Sequence, residues 1–86
     1  MSQIIFRLTE AMARYKVSVN ALSDELGISK SSIAHWRSGK TKPGLDRINE
    51  ILVALVKIGD PEQLQALPLR LSDVLEWRVH KDENLN

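Results

Sequence analysis

The chain has no cysteine among its 86 residues. That excludes a disulfide framework and a thiolate metal site, and it fits a reducing compartment. Only two histidines are present, His35 and His80, and they lie in different segments with no spacing that suits a metal. None of the four glycines belongs to a loop of the kind that cradles phosphates. With no thiol, no histidine pair and no such loop, we expect no enzymatic activity, no metal, no cofactor and no small-molecule ligand. Long apolar runs are missing too. The longest, ILVALV at residues 51–56, is far too short to span a bilayer. The first residues, MSQIIFRL, carry no extended apolar run behind a basic head, so no signal peptide is expected. Together these absences point to a cytoplasmic protein.

What is present suits one small folded domain. Hydrophobic residues make up 43% of the chain and charged residues 27%, which is a globular rather than a disordered balance. The length is near the lower size at which a single core is stable alone. The net charge of +1 hides an uneven distribution. Residues 28–42 hold four cations (Lys30, Arg37, Lys40, Lys42) and no acid, whereas residues 59–86 hold six acids and three cations. A concentrated cationic segment is an electrostatic footprint for phosphate. The competing reading is a solvated surface patch.

The stretch SVNALSDELGISKSSIAHWRSG, residues 18–39, contains those cations in a defined pattern. It reads as two short helices joined by a tight corner. Leu22 and Leu26 lie four apart on the first helix, Ile33 and Trp36 three apart on the second, and Ile28 sits at the corner. These apolar side chains can all point inward, which leaves Lys30, Ser31, Ala34, His35 and Arg37 outside. Trp36 is thereby assigned to the core rather than to base stacking. Gly27 ends the first helix, where a left-handed residue is needed and where two closely approaching helices tolerate no side chain. Ser29 is placed to cap the second helix, Ser32 lies in its first turn, and Gly39 ends it. A helix held from behind, with small and cationic side chains facing water, suits the DNA major groove.

The spacing of Ser23, Gly27 and Ile33 resembles the helix-turn-helix of the Cro and phage-repressor family. Trp36, Gly39 and Pro43, with Lys40 and Lys42 between, resemble that family's loop into its fourth helix. The likeness covers about residues 3–58. It implies a lambda-repressor-like bundle and binding to double-stranded DNA through the second helix of the motif. On that reading Lys30, Ser31, Ala34 and His35 are the candidates for base edges. Lys30 can donate to guanine O6 and N7, and Ala34 can touch a thymine methyl. His35 can serve a base acceptor or a phosphate. Ser18, Asn20, Ser29, Arg37, Lys40, Thr41 and Lys42 are the candidates for phosphate, with Ser18 and Asn20 at a helix start that favours an anion. Val19 stands where many relatives carry glutamine, which removes one polar backbone contact. Ser23 stands where alanine is commoner, and is small enough to fit.

The flanking segments read as scaffold. Ile4, Ile5, Leu8, Ala11, Met12 and Tyr15 recur at helical spacing, so residues 3–16 are expected to form one helix capped by Ser2. A helix from Leu45 to Ile58 carries more apolar surface than its own domain needs, so the C-terminal segment or another copy of the chain must cover the rest. Asp60 and Pro61 start a short helix that runs to about Ala66. Beyond Leu67 and Pro68, Ser72 or Asp73 can cap a helix bearing Val74, Leu75, Arg78 and Val79; the alternative is a strand through Leu69 and Leu71.

The sequence therefore predicts an all-α bundle of about five helices. Residues 1–58 form the DNA-binding core, 59–80 a segment that closes the core or dimerises, and 81–86 a frayed tail. Val53, Val56, Leu69, Leu71, Val74, Leu75 and Trp77 are the candidates for a homodimer interface. The expected function is a repressor of phage or prophage type acting as a homodimer on a near-palindromic operator. The alternatives are the antitoxin of a toxin–antitoxin pair and, in a different class, a helical protein-interaction module.

Overall fold

Residues 3–16 do not form the single helix that their apolar spacing predicts. The structure, a computed structural model, describes residues 2–79. In it Gln3–Phe6 is a β-strand (β1) and the first helix, α1, spans only Leu8–Arg14. Four helices follow: α2 (Val19–Leu26), α3 (Lys30–Ser38), α4 (Leu45–Ile58) and α5 (Pro61–Ala66). A 3₁₀ turn at Leu71–Asp73 then leads into a second strand, β2 (Leu75–Arg78). The two strands pair antiparallel, with Gln3 opposite Arg78, Ile4 opposite Trp77, Ile5 opposite Glu76 and Phe6 opposite Leu75. The fold is five helices with a two-stranded sheet rather than all-α.

Both departures have one physical cause. Ile4 and Ile5 fit a helical face, but β-branched residues, and the aromatic Phe6 beside them, also favour a strand when a partner is available. The partner is the segment that was expected to be helical. In Leu75-Glu76-Trp77-Arg78 apolar and charged residues alternate, so the strand has one apolar and one polar face. The strand lies beyond the Leu69–Leu71 stretch considered as its alternative position. The Arg7 amide donates to the Val74 carbonyl at 2.6 Å and continues the pairing to the start of α1. On the polar side Glu76 accepts from Arg7 and, at 3.0 Å, from Arg78. These hydrogen bonds, that from Arg7 foremost, hold the Glu76 carboxyl below its ordinary range.

The core is built from Phe6, from Leu8, Ala11, Met12 and Tyr15 of the first helix, and from Leu22, Ile33 and Trp36 of the motif. Ile51, Ala54 and Leu55 of α4 complete it together with Val74. Val74 is fully buried, which removes it from the candidate dimer residues: its side chain closes the core of its own chain. Leu26, Ile28, Leu52, Leu69 and Leu75 pack around this centre, partly covered. Tyr15 binds two parts of the chain at once. Its hydroxyl donates to the Leu67 carbonyl at 2.6 Å, and its own carbonyl accepts from the Asp60 amide at 2.9 Å. Asp60 in turn caps α5, accepting from the Gln63 amide at 3.1 Å, with Pro61 at the first helical position.

Gly59 sits where these elements converge, and its requirement is space rather than backbone conformation. A Cβ at that position would lie 2.5 Å from the Leu55 carbonyl oxygen, 3.2 Å from Tyr15 Cβ and 3.3 Å from Leu64 Cδ1. Gly59→Ala is accordingly expected to destabilise the fold by about 1–3 kcal/mol, as overpacking of a filled site does. Urea denaturation followed by circular dichroism measures this; an unchanged midpoint would contradict the packing described.

A cationic helix face built on a capped corner

Ser18 caps α2 with extended backbone, its Oγ accepting from the Ala21 amide at 3.0 Å. The helix ends at Gly27, whose left-handed φ of 66° turns the chain. A Cβ there would meet nothing within 4 Å. The glycine is thus needed for its backbone angle alone, not because the helices press on it as the spacing suggested. What closes the corner is Ser23. Its buried hydroxyl donates to the Ile28 carbonyl at 2.5 Å, a bond that the alanine commoner in relatives cannot make.

Ser29 then caps α3, accepting from the Ser32 amide at 3.2 Å. The same hydroxyl lies 3.1 Å from Ser31 Oγ and 3.0 Å from Ser32 Oγ, so Ser31, a base-edge candidate, shares its hydroxyl with the cap. A side-chain cap is worth about 1 kcal/mol. The orientation of α3 is fixed more strongly by its inner side, where Ile33 is fully buried and Trp36 is 8% exposed. Burying a residue such as Ile33 stabilises by about 1.5–3 kcal/mol. An exposed ion pair on the outer side would contribute about 0–1 kcal/mol. Packing therefore decides which wall of α3 faces out, and the charges follow.

On that outer wall Lys30, Ser31, Ala34 and Arg37 are exposed and His35 is partly covered. Gly39, with φ of 80°, ends the helix, and the amides of Lys40 and Thr41 both donate back to the His35 carbonyl, at 2.9 and 3.3 Å. The loop is thereby folded against the helix end, and Lys40, Thr41 and Lys42 lie exposed beside it. Ser18 and Asn20 are exposed at the start of α2. Lys30, Arg37, Lys40 and Lys42 form no ion pair among the described residues. Two acids of the C-terminal segment are engaged elsewhere: Asp73 with Arg14 at 3.2 Å, and Glu76 with Arg7 and Arg78. Among the described residues, the four cations of residues 28–42 thus have no carboxylate partner.

Thr9 is a contributor that the sequence did not signal. Its Oγ1 accepts from Arg37 Nε at 3.3 Å and ties the guanidinium to the first turn of α1. No motif marks a threonine so far upstream. The contact exists because α1 packs on α3.

The dimer candidates are distributed unevenly. Val53, Val56 and Leu71 are exposed, and with Leu52, Leu69 and Arg70 they line one apolar groove. Leu75 lines a second with Ile4, Phe6, Pro43, Leu45 and Ile48. Trp77, paired with Ile4 on the same sheet face, is 67% exposed. Both grooves lie along α4. Leu45, Ile48, Leu52 and Val56 follow each other at steps of three and four along α4, and the chain from Leu69 to Leu75 borders both grooves. Residues 81–86, expected to fray, lie outside the described residues, as does His80.

No helix among the described residues is long and apolar enough to cross a membrane. No curated protein and no solved structure matches the chain. A family model described as Helix-turn-helix matches residues 8–55, more than half of the chain and the part that runs from α1 to near the end of α4. Two capped helices at a left-handed glycine, a buried inner side and an open cationic wall are the geometry behind that match. The chain belongs to the helix-turn-helix family of the Cro and phage-repressor type, a family of DNA-binding transcription regulators rather than of enzymes.

Proposed function

We propose that this protein is a repressor that binds a near-palindromic operator as a homodimer, with α3 of each copy in successive major grooves roughly 34 Å apart. The observation that carries the reading is the outer wall of α3, where Lys30 opens the groove-facing side and no acid among the described residues pairs with it. Lys30 and Ser31 head the helix, and residues near its start reach deepest. Ala34 and His35 follow a turn later. Arg37, Lys40, Thr41 and Lys42, with Ser18, Asn20 and Ser29 at the helix starts, hold the phosphates that fix register without reading sequence.

Magnitudes favour two copies. Specific binding must exceed non-specific binding by about 4–10 kcal/mol. A good bidentate base contact gives about 1–3 kcal/mol, and of the four base-edge candidates only Lys30 can make a strong one. One α3 falls short, and doubling it on a symmetric site brings the sum into range. The apolar groove between α4 and the Leu69–Leu71 stretch offers a surface for the second copy, with Val53, Val56 and Leu71 as its exposed apolar members. A dimer seated on a promoter would exclude polymerase by occupancy, which needs no effector and no catalysis.

Selection of bound fragments from random duplex DNA is expected to return two inverted half-sites about 10–10.5 base pairs apart, centre to centre. A single asymmetric half-site would count against the homodimer. On the selected site Lys30→Ala should cost about 1–3 kcal/mol and relax one base position. Lys40→Ala and Lys42→Ala should instead weaken all duplexes alike, each flattening the slope of log affinity on log salt by about one unit. In sedimentation, the double variant Val56→Glu/Leu71→Glu is expected to run as a monomer where the wild-type chain runs as a dimer.

A further inference from the structure

Beside the α3 wall lies a polar groove of about 430 Å³ that the family motif does not account for. Its walls are β1, the start of α1, the C-terminal end of α3 with the following loop, and Arg78 of β2. Four cations line it, Arg7, Arg37, Lys42 and Arg78, against one lining acid, Glu10. Glu76 bridges Arg7 and Arg78 on the sheet's polar side and must be counted with them. The sum over these six groups is still +2, and the two cations with no carboxylate partner among the described residues, Arg37 and Lys42, both belong to the surface assigned to phosphate. Arg37 is held in place by Thr9.

We infer that this groove is a second backbone site, in which Arg78 and Arg7, alongside Arg37 and Lys42, take a phosphate of the duplex that flanks the half-site beyond the C-terminal end of α3. The inference rests on the DNA-binding reading above and extends it to residues outside the helix-turn-helix match. Three features of the groove fit a phosphodiester of a long polymer better than a free anion. It is an open trough rather than a closed pocket. It runs on directly from Ser38, Gly39 and Lys42, where a duplex lying along α3 would leave the helix. Its donors come from four separate elements, as suits a ligand that passes across a surface. Arg78 reaches this position only because β2 pairs with β1, with Arg78 opposite Gln3. The small sheet then has a task in binding as well as in closing the core. Glu76 is the internal competitor: it occupies both sheet arginines until phosphate replaces it.

The test compares two duplexes carrying the selected site, one with about six extra base pairs on each flank and one trimmed to the half-sites, by fluorescence anisotropy over a salt series. On the long duplex, Arg78→Gln is expected to lower affinity about threefold and flatten the salt slope by about one unit, the share of one phosphate contact. On the trimmed duplex it should change neither. Arg78→Lys should restore the slope on the long duplex. Glu76→Gln should raise affinity for it, since the carboxylate charge that competes for Arg78 and Arg7 is removed while Arg7 keeps its contact with Glu10 at 3.5 Å. Thermal unfolding of each variant checks that the strands still pair. Arg78→Gln behaving as wild type on the long duplex, while Lys30→Ala still weakens both, would overturn the groove and leave the regulator reading intact. Equal weakening on both duplexes would overturn it too, by reducing Arg78 to a general charge effect. Absence of binding by the wild-type chain to any duplex would remove the regulator reading itself, and the groove with it.

Discussion

The burial of Ile33 and Trp36 under α3 is the contact on which the rest of this molecule depends. A nine-residue helix has too few turns to hold itself in water. What keeps α3 helical and keeps one side of it outward is the apolar bed formed by Leu22, α1 and the adjoining core. Once the inner side is fixed, the outer side is fixed with it, because the helical repeat allows no independent choice. The serine caps and left-handed glycines at either end then set where the helix starts and stops. Its charges contribute little to stability and are free to serve recognition.

Most of this was legible in the sequence because the relevant signals are local. Ser18, Ser29, Asp60 and Pro61 announce helix starts, Gly27 and Gly39 announce ends, and each acts within four residues of itself. The sheet was illegible for the opposite reason. Ile4 and Ile5 satisfy a helical face and a strand equally well, and only a partner far along the chain decides between them. Arg7 and Glu76, which join across that sheet, are 69 positions apart. The alternation in Leu75-Glu76-Trp77-Arg78 was visible, but Val74, Leu75, Arg78 and Val79 also fit a helix, and nothing in the local pattern ranks the two. Val74 was misassigned by the same limit: an apolar residue near the C-terminal third reads alike whether it faces its own core or a second copy.

At the site Lys30, Ser31, Ala34 and Arg37 lie exposed along α3, and the departures from the sequence reading are in detail. Ser31 is partly committed to its neighbours' hydroxyls, and His35 is partly covered. Gly27 is required for its angle and not for clearance. Ser23, which looked like a tolerated substitute for alanine, ties the corner with a hydrogen bond. Thr9 entered only through the packing of α1 on α3. These are properties of tertiary neighbours, which spacing cannot report.

The pairing of β1 with β2 has a consequence for how the protein comes into being. During synthesis the helical motif can leave the ribosome well before β2 does, so Gln3 to Phe6 must wait, unpaired and rich in isoleucine, until residue 78 has emerged. Closing so large a loop makes this the step of highest contact order in the fold and therefore a slow one. A nascent chain would thus own a reading head before it owns its clasp, and the late pairing of the two strands would be the last event of folding.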